Sequence, residues 1–267
     1  MSDENAEAIL VSRQDHVQLI MINRPEARNA VNLAVHVGLG TALEAADKDP
    51  EVRVVIITGA GDQAFCAGAD LKALSRGESL SPSDEVQSRW GFAGMVQHPI
   101  SKPIIAAVNG FALGGGTEIA LASDLVVAAD SANFGLPEVK RGIYAGAGGA
   151  FRLAQQLPQK IAMEYLLTGE PFSAARALEL GLVNRVVPLA DLLAEAFKMA
   201  ERIAVNAPLS VQASKRIALA ITNGTIDNEA ANWAQSRKEG AALMRSDDAR
   251  EGPRAFAEKR APVWQAR

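Results

Sequence analysis

Two glutamates and a run of unshielded backbone carry the chemistry this sequence offers. The stretch NGFALGGGTEIALASD, residues 109–124, sets Gly114, Gly115 and Gly116 directly ahead of Glu118, and FGLPEVKRG brings Glu138 soon afterwards. A glycine inside regular structure costs roughly 0.5–1 kcal/mol relative to alanine, so three in a row imply tight packing or the close approach of another molecule. The glycines follow an apolar run and precede the helical pattern TEIALA. They therefore sit where unpaired N–H groups and the helix dipole attract negative charge. A second turn has the same form: Ala67, Gly68 and Ala69 in AFCAGADLKAL precede the helical spacing of DLKAL. Two such turns meeting at one oxygen atom would supply the two N–H donors of an oxyanion hole, each worth about 2.7–4 kcal/mol at a transition state. Singly, Glu118 is an acid in the first turn of a helix and Glu138 a loop acid. Beside an oxyanion hole they become a pair able to take and give protons.

Other chemistries lack their parts. The single cysteine, Cys66, has no histidine near it in sequence, and it excludes an internal disulfide framework. His16, His36 and His98 show no metal-ligand spacing and read as surface or core-edge residues, so no metal is expected. There is no G-x-S-x-G and no P-loop. Gly59, Gly61 and Ala64 satisfy the dinucleotide fingerprint after a strand, but CAGADLKALSRGESLSPSDE holds no second strand to complete that unit. A net charge of −4 with interspersed signs gives no footprint for nucleic acid or an anionic membrane. The acidic N-terminus is unlike a signal peptide, and no apolar run nears the roughly 18–20 residues of a membrane span. A cytoplasmic protein is the expectation.

The elements that must position these groups follow from the hydrophobic pattern. HVQLIMI, VRVVIITG, PIIAAVNG, DLVVAA and ANFG read as strands, with helical patterns over residues 33–49, up to about 98, and over 117–122. Such alternation predicts a buried, largely parallel sheet with helices on its faces. Beyond about residue 145, helical segments punctuated by Gly and Pro dominate, from GGAFRLAQQLP to DDAREGPRAFAEKR, with LVNRVVP the one short strand. The expected division is an α/β core over residues 1–200 and a helical region over 201–267.

Taken together, INRPEARNAVN, FCAGADLK, KPIIAAVNGFALGGGTEIALASDLVVA, FGLPEVKRGI, AGAGGAFRL, LTGEPFSAARALELGLVNRVV and FAEKRAPVW resemble the crotonase, or enoyl-CoA hydratase/isomerase, superfamily over nearly the whole chain. The resemblance implies a spiral of ββα units with a C-terminal helical trimerisation region, assembled as a homotrimer or a dimer of trimers. It implies an acyl-CoA thioester substrate whose enolate is stabilised by the Ala69 and Gly115 N–H groups. Coenzyme A is then part of the substrate, and no separate cofactor is expected. By position, Glu118 and Glu138 match the family glutamates that add water across a 2-enoyl-CoA double bond. Ala67, Gly68, Asp70, Leu71 and Lys72 match the segment lining the CoA moiety, and Gly114 joins them at the turn. Phe256 and Lys259 match the pair that closes the adenine pocket, typically from a neighbouring subunit.

The chain also departs from that pattern. Tyr144–Ala145 and Ala150–Phe151 replace the proline and glutamine common in hydratases, which puts Tyr144 and Phe151 at the acyl pocket; Glu26 stands where several relatives carry a basic residue. Hydration is the favoured reaction because both acids are present. Isomerisation, dehydration or C–C hydrolysis of an unusual acyl-CoA is the alternative. A non-catalytic member that binds RNA would need a basic stripe, which the charge pattern lacks.

Overall fold

The computed structural model describes residues 7–267. The chain opens with an antiparallel pair, β1 (Ile9–Gln14) and β2 (Val17–Ile22), followed by α1 (Leu33–Lys48), whose N-terminus is capped by Asn32. Three turns of a spiral follow, each giving its first strand to one sheet and its second to another. The first turn is β3 (Val54–Gly59) and β4 (Ala64–Cys66), with α2 (Leu71–Ser75) and α3 (Glu85–Arg89). The second is β5 (Ile104–Val108), β6 (Phe111–Leu113) and α4 (Gly115–Ala122). The third is β7 (Leu125–Ala129) and β8 (Asn133–Gly135), then a 3-10 helix at Pro137–Arg141 and α5 (Gly149–Gln156).

Beyond lie α6 (Gln159–Thr168), β9 (Phe172–Ser173), α7 (Ala174–Glu179) and β10 (Arg185–Val187). After α8 (Leu192–Ala204) and α9 (Pro208–Leu219), a hairpin of β11 (Ile221–Thr222) and β12 (Thr225–Ile226) leads to α10 (Ala230–Leu243) and α11 (Asp247–Ala257). The larger sheet has the order β1-β2-β3-β5-β7-β10 and is parallel apart from the β1–β2 pair. The smaller has the order β4-β6-β8-β9, with only β9 antiparallel.

Alternation along β3 shows how the core is divided. Val55 and Ile57 face a cluster with Val35, Leu39 and Leu43 of α1, while Val54 and Ile56 face Leu192, Ala196 and Ala200 of α8. Both faces of the parallel sheet are covered, which is why its strands read as continuous apolar runs. The α8 helix spans residue 200 and belongs to the packing of the sheet.

The structure corrects the sequence reading at several places. The helical stretch expected to end near His98 is the short α3, which stops at Arg89 and is followed by a distorted 3-10 turn at Phe92–Gly94. The chain after residue 145 holds β9, β11 and β12 besides β10. His36 and His98 are buried: His36 Nε2 lies 3.2 Å from the Gln87 carbonyl, and His98 Nε2 lies 2.9 Å from Glu44. The loop after Gly59 runs into β4 and not a helix, so the dinucleotide fingerprint has no helix N-terminus to offer a pyrophosphate.

Close backbone packing fixes the start of α4. A Cβ added to Gly116 would lie 1.9 Å from the Cys66 carbonyl oxygen, and one at Gly115 would lie 2.2 Å from the Phe92 ring. Gly116→Ala is therefore expected to destabilise the protein by roughly 1–3 kcal/mol, the usual cost of overpacking a filled interior. Urea unfolding followed by circular dichroism measures it; an unchanged midpoint would show that α4 is free to shift.

Candidate active site

The two glycine-framed turns lie against each other. Gly68 has φ of +90°, and a Cβ there would sit 3.1 Å from the Leu113 carbonyl and 3.3 Å from the Gly115 nitrogen. Next to it, Ala69 forms a parallel bridge with Val31: the Val31 N–H donates to Gly68 O at 2.8 Å, and the Asp70 N–H donates to Val31 O at 2.9 Å. In a parallel bridge of this pattern the N–H of the middle residue points off the ladder, so the Ala69 amide faces away from Val31. The Gly115 amide is the first of α4 and has no carbonyl one turn back to accept it. Gly114, at φ +55° and ψ −121°, makes the turn that exposes it.

Residues Gly115 to Leu121 of α4 are all buried, so Glu118 is buried too, at 3% exposure. Its Oε1 accepts the Gly149 N–H, the first amide of α5, at 2.9 Å. Glu138 reaches the same place from the 3-10 helix after β8: its Oε1 lies 2.9 Å from where a Gly114 Cβ would be. Glu138 Oε2 is buried and accepts no hydrogen bond among the described residues. Burial, and then the charge of Glu138, push the Glu118 carboxyl up to about 8, against the pull of the Gly149 and Ala147 amides. Burial pushes Glu138 up to about 7. Both carboxyls therefore titrate near neutral pH rather than near 4.5, and the titrations of two such coupled groups belong to the pair. One carboxyl can then give a proton while the other takes one.

Around this centre the expected residues separate into groups. Gly68, Ala69, Gly114, Gly115, Glu118 and Glu138 come together. Asp70 is committed locally: Oδ1 accepts the Lys72 and Ala73 amides at 3.1 and 3.0 Å, capping α2, and Oδ2 pairs with Arg24 at 2.9 Å. Leu71 and Lys72 are exposed on α2, and the Ala67 amide donates to the Arg28 carbonyl, placing the exposed Arg28 alongside. Glu26, also exposed, lies on the 3-10 helix just before Arg28. Tyr144 and Phe151 turn towards α10: the Tyr144 hydroxyl lies 2.9 Å from Ser236 Oγ, and Phe151 meets Trp233 edge-on at 5.0 Å. Phe256 lies under the Arg141 guanidinium at 3.8 Å, at the far end of the Glu138 3-10 helix, and Lys259 follows just past α11.

Sequence reasoning missed Thr117, whose hydroxyl donates to the Ala112 carbonyl at 2.6 Å and accepts the Gly135 N–H at 2.9 Å. That side chain ties α4 to β6 and to the strand leading to Glu138. A Thr in the first turn of a helix was a visible signal, but its partners are remote in sequence. Cys66 is buried and its thiol is pushed up to about 12 by burial, which rules it out as a nucleophile at neutral pH.

The sequence profile described as Enoyl-CoA hydratase/isomerase matches residues 12–267. The chain belongs to the enoyl-CoA hydratase/isomerase family. It is 42% identical over 265 residues to a carnitinyl-CoA dehydratase of Salmonella typhi, covering 98% of this chain and 100% of that one. Among solved structures, a carnitinyl-CoA hydratase from Mycobacterium avium is 59% identical with a TM-score of 0.96, over 98% of this chain and 100% of that one. An enoyl-CoA hydratase from Mycobacterium tuberculosis H37Rv is 44% identical with a TM-score of 0.75, at the same coverage. The family fold is thus the one described above. No helix among the described residues is long and apolar enough to cross a membrane.

The raised carboxyls have a consequence for stability. Between the ordinary 4.5 and the folded values of about 7 and about 8, the folded protein holds protons that the unfolded chain releases. Stability is therefore full below the ordinary carboxylate range and falls as pH rises through those folded values. Glu118→Gln cannot ionise, so its thermal midpoint is expected to exceed that of the unsubstituted protein by a margin that widens between about pH 5 and about pH 9. A constant margin across that range would place Glu118 in a polar, solvated setting instead.

Proposed function

We propose that this chain catalyses the reversible addition of water across the α,β double bond of a 2-enoyl-CoA thioester. The observation that carries this reading is the pair Glu118 and Glu138, both buried beside two unshielded backbone turns, with both carboxyls raised towards neutral pH. In the proposed reaction the thioester oxygen is held by the Ala69 and Gly115 N–H groups. Negative charge gathers on that oxygen as water attacks Cβ. The carboxylate of the pair accepts a proton from that water, and the neutral carboxyl supplies a proton to Cα. The sum is one hydroxyl on Cβ and one hydrogen on Cα, with the pair returned to a single proton. Dehydration of a 3-hydroxyacyl-CoA is the same path reversed.

Ala67, Gly68, Leu71 and Lys72 are proposed to line the CoA moiety, with the exposed Arg28 beside them to meet its phosphates. Phe256 and Lys259 are proposed to close the adenine end from a neighbouring copy of the chain in a trimer, or in a dimer of trimers. Tyr144 and Phe151 would then set the acyl end.

A second reading concerns the acyl group. The relatives named carnitinyl-CoA dehydratase and hydratase are 42% and 59% identical to this chain. Carnitinyl-CoA is a 3-hydroxyacyl thioester with a trimethylammonium group on the carbon next to its hydroxyl-bearing one, and its dehydration would call on the same proposed oxyanion hole and acid pair. Phe151 packs edge-on against Trp233 and Tyr144 bonds to Ser236 of the same helix, so two aromatic side chains face α10 and a third belongs to it, and aromatic faces attract such cations.

The test is a panel of 2-enoyl-CoA esters: straight-chain from short to long, aromatic, and 4-trimethylammonio. Loss of the conjugated thioester absorbance reports hydration. Rapid turnover of straight-chain esters supports the general hydratase; a kcat/KM at least about tenfold higher on the cationic ester, a preference of roughly 1.4 kcal/mol, selects the second reading. Glu118→Gln and Glu138→Gln are each expected to bind ligand normally and lose turnover by about 10²–10⁴-fold. Binding of all the esters with no hydration would overturn the reaction while leaving a CoA-ester site.

A further inference from the structure

A second ionic group lies beneath the acid pair. Arg152 is 4% exposed and sits on α5, one turn beyond Gly149. Its Nε and Nη2 donate to the two carboxylate oxygens of Glu229 at 2.8 and 2.7 Å, and Nη2 also donates to the Val96 carbonyl at 2.6 Å. Glu229 directly precedes α10 and accepts the Trp233 Nε1–H at 3.0 Å. The remaining nitrogen, Nη1, is buried with no acceptor among the described residues and lies along Gly148, 3.2 Å from where a Cβ would be. Gly148 precedes the very amide that holds Glu118, and its own carbonyl accepts the Arg152 N–H at 2.9 Å.

A buried ion pair is weak support for a fold, since an apolar contact of similar volume joins two elements as well or better. Its position next to the Glu118 amide gives this pair another use. Among the described residues, the ionisable groups that weigh most on Glu118 are Glu138 from the 3-10 helix and Arg152 from α5, with Cys66 of β4 also coupled to it, and of these three Arg152 is the cation. The cation is in turn balanced by Glu229.

We propose that Arg152 and Glu229 are positioning residues for the acid pair. Glu229 anchors Arg152, so that the start of α5 keeps its amide on Glu118, and the balance of their opposite charges sets the field in which Glu118 holds or releases its proton. The C-terminal region thereby tunes the proton transfer from behind the substrate. This rests on the reading of Glu118 as a proton-transfer group, and the test separates the two.

The variants are Glu229→Gln, Arg152→Gln, Arg152→Lys and the double variant Arg152→Gln/Glu229→Gln. Two readouts are taken: the titration of the Glu118 carboxyl by ¹³C NMR of glutamate-labelled, ligand-free protein, assigned by the signal lost in Glu118→Gln, and the pH profiles of kcat and KM on the best ester of the panel. Removing the Glu229 charge leaves Arg152 uncompensated, so the Glu118 titration and the matching limb of kcat move to lower pH. Removing the Arg152 charge leaves Glu229 unopposed and moves both to higher pH. Each shift is expected to reach about half a pH unit, with the double variant returning towards the starting value and Arg152→Lys staying near it. KM is expected to change less than kcat.

Shifts in the same direction, or loss of kcat with an unmoved titration, would reduce the pair to a structural brace and overturn the proposal. If Arg152→Gln does not fold, Glu229→Gln and Arg152→Lys still read the sign. The expected opposite titration shifts together with full turnover by Glu118→Gln would instead sink the hydratase reading and leave the electrostatic coupling standing.

Discussion

The contact between Gly116 and the Cys66 carbonyl governs the site, because no side chain fits between them. A Cβ at 116 would stand 1.9 Å from that oxygen, so the first turn of α4 is pressed directly onto the end of β4. That approach brings the Gly68 turn against the Gly115 nitrogen and leaves the Ala69 and Gly115 amides without backbone partners among the described residues. It also drives the whole of α4 inside the protein. Glu118, three residues past Gly115, is carried in with it and must be neutralised, shared or hydrogen-bonded there. The proposed chemistry needs such a carboxyl, and the fold produces it by packing rather than by any feature of the glutamate itself.

Glu138 arrives by a different route, which depends on the spiral. Each turn sends its second strand to the small sheet, so β6 and β8 lie side by side and end at Leu113 and Gly135. Gly114 follows one and the Glu138 3-10 helix follows the other. Thr117 bonds to both ends and holds the two glutamates in register. The acid pair is thus a product of adjacent strand ends, and residues distant along the chain become neighbours through the sheet order.

The C-terminal helices take part in this arrangement. The α10 segment holds Arg152 through Glu229 and Tyr144 through Ser236. The α11 segment packs backbone to backbone on the Glu138 element: a Cβ at Gly252 would lie 1.9 Å from the Arg141 carbonyl, and one at Gly142 would lie 2.2 Å from the Asp248 carbonyl. Both elements that carry the acids, α4 by way of α5 and the 3-10 helix directly, are braced by residues beyond 228. A helical tail read only as an assembly region would overlook that support.

The sequence by itself determined the apolar strands β2, β3, β5 and β7, the helix α1, the two unshielded turns and the two acids. These follow from local rules: buried parallel strands are continuous apolar runs, and consecutive glycines have few other uses. Of the strands of two or three residues, β8 and β10 were legible in ANFG and LVNRVVP, but β4, β6, β9 and β11 carry too little periodicity to be seen, and β1, largely exposed, has no buried face to mark it. Asp70 looked like part of a ligand-binding segment, and the folded chain uses its side chain to cap α2 and hold Arg24. Only the tertiary structure decided that Glu118 and Glu138 are buried in one place with raised carboxyls, that Arg152 stands on the helix whose first amide holds Glu118, and that Glu229 answers its charge. Burial and charge pairing are properties of neighbours in space, and the neighbours here are separated by many residues of chain.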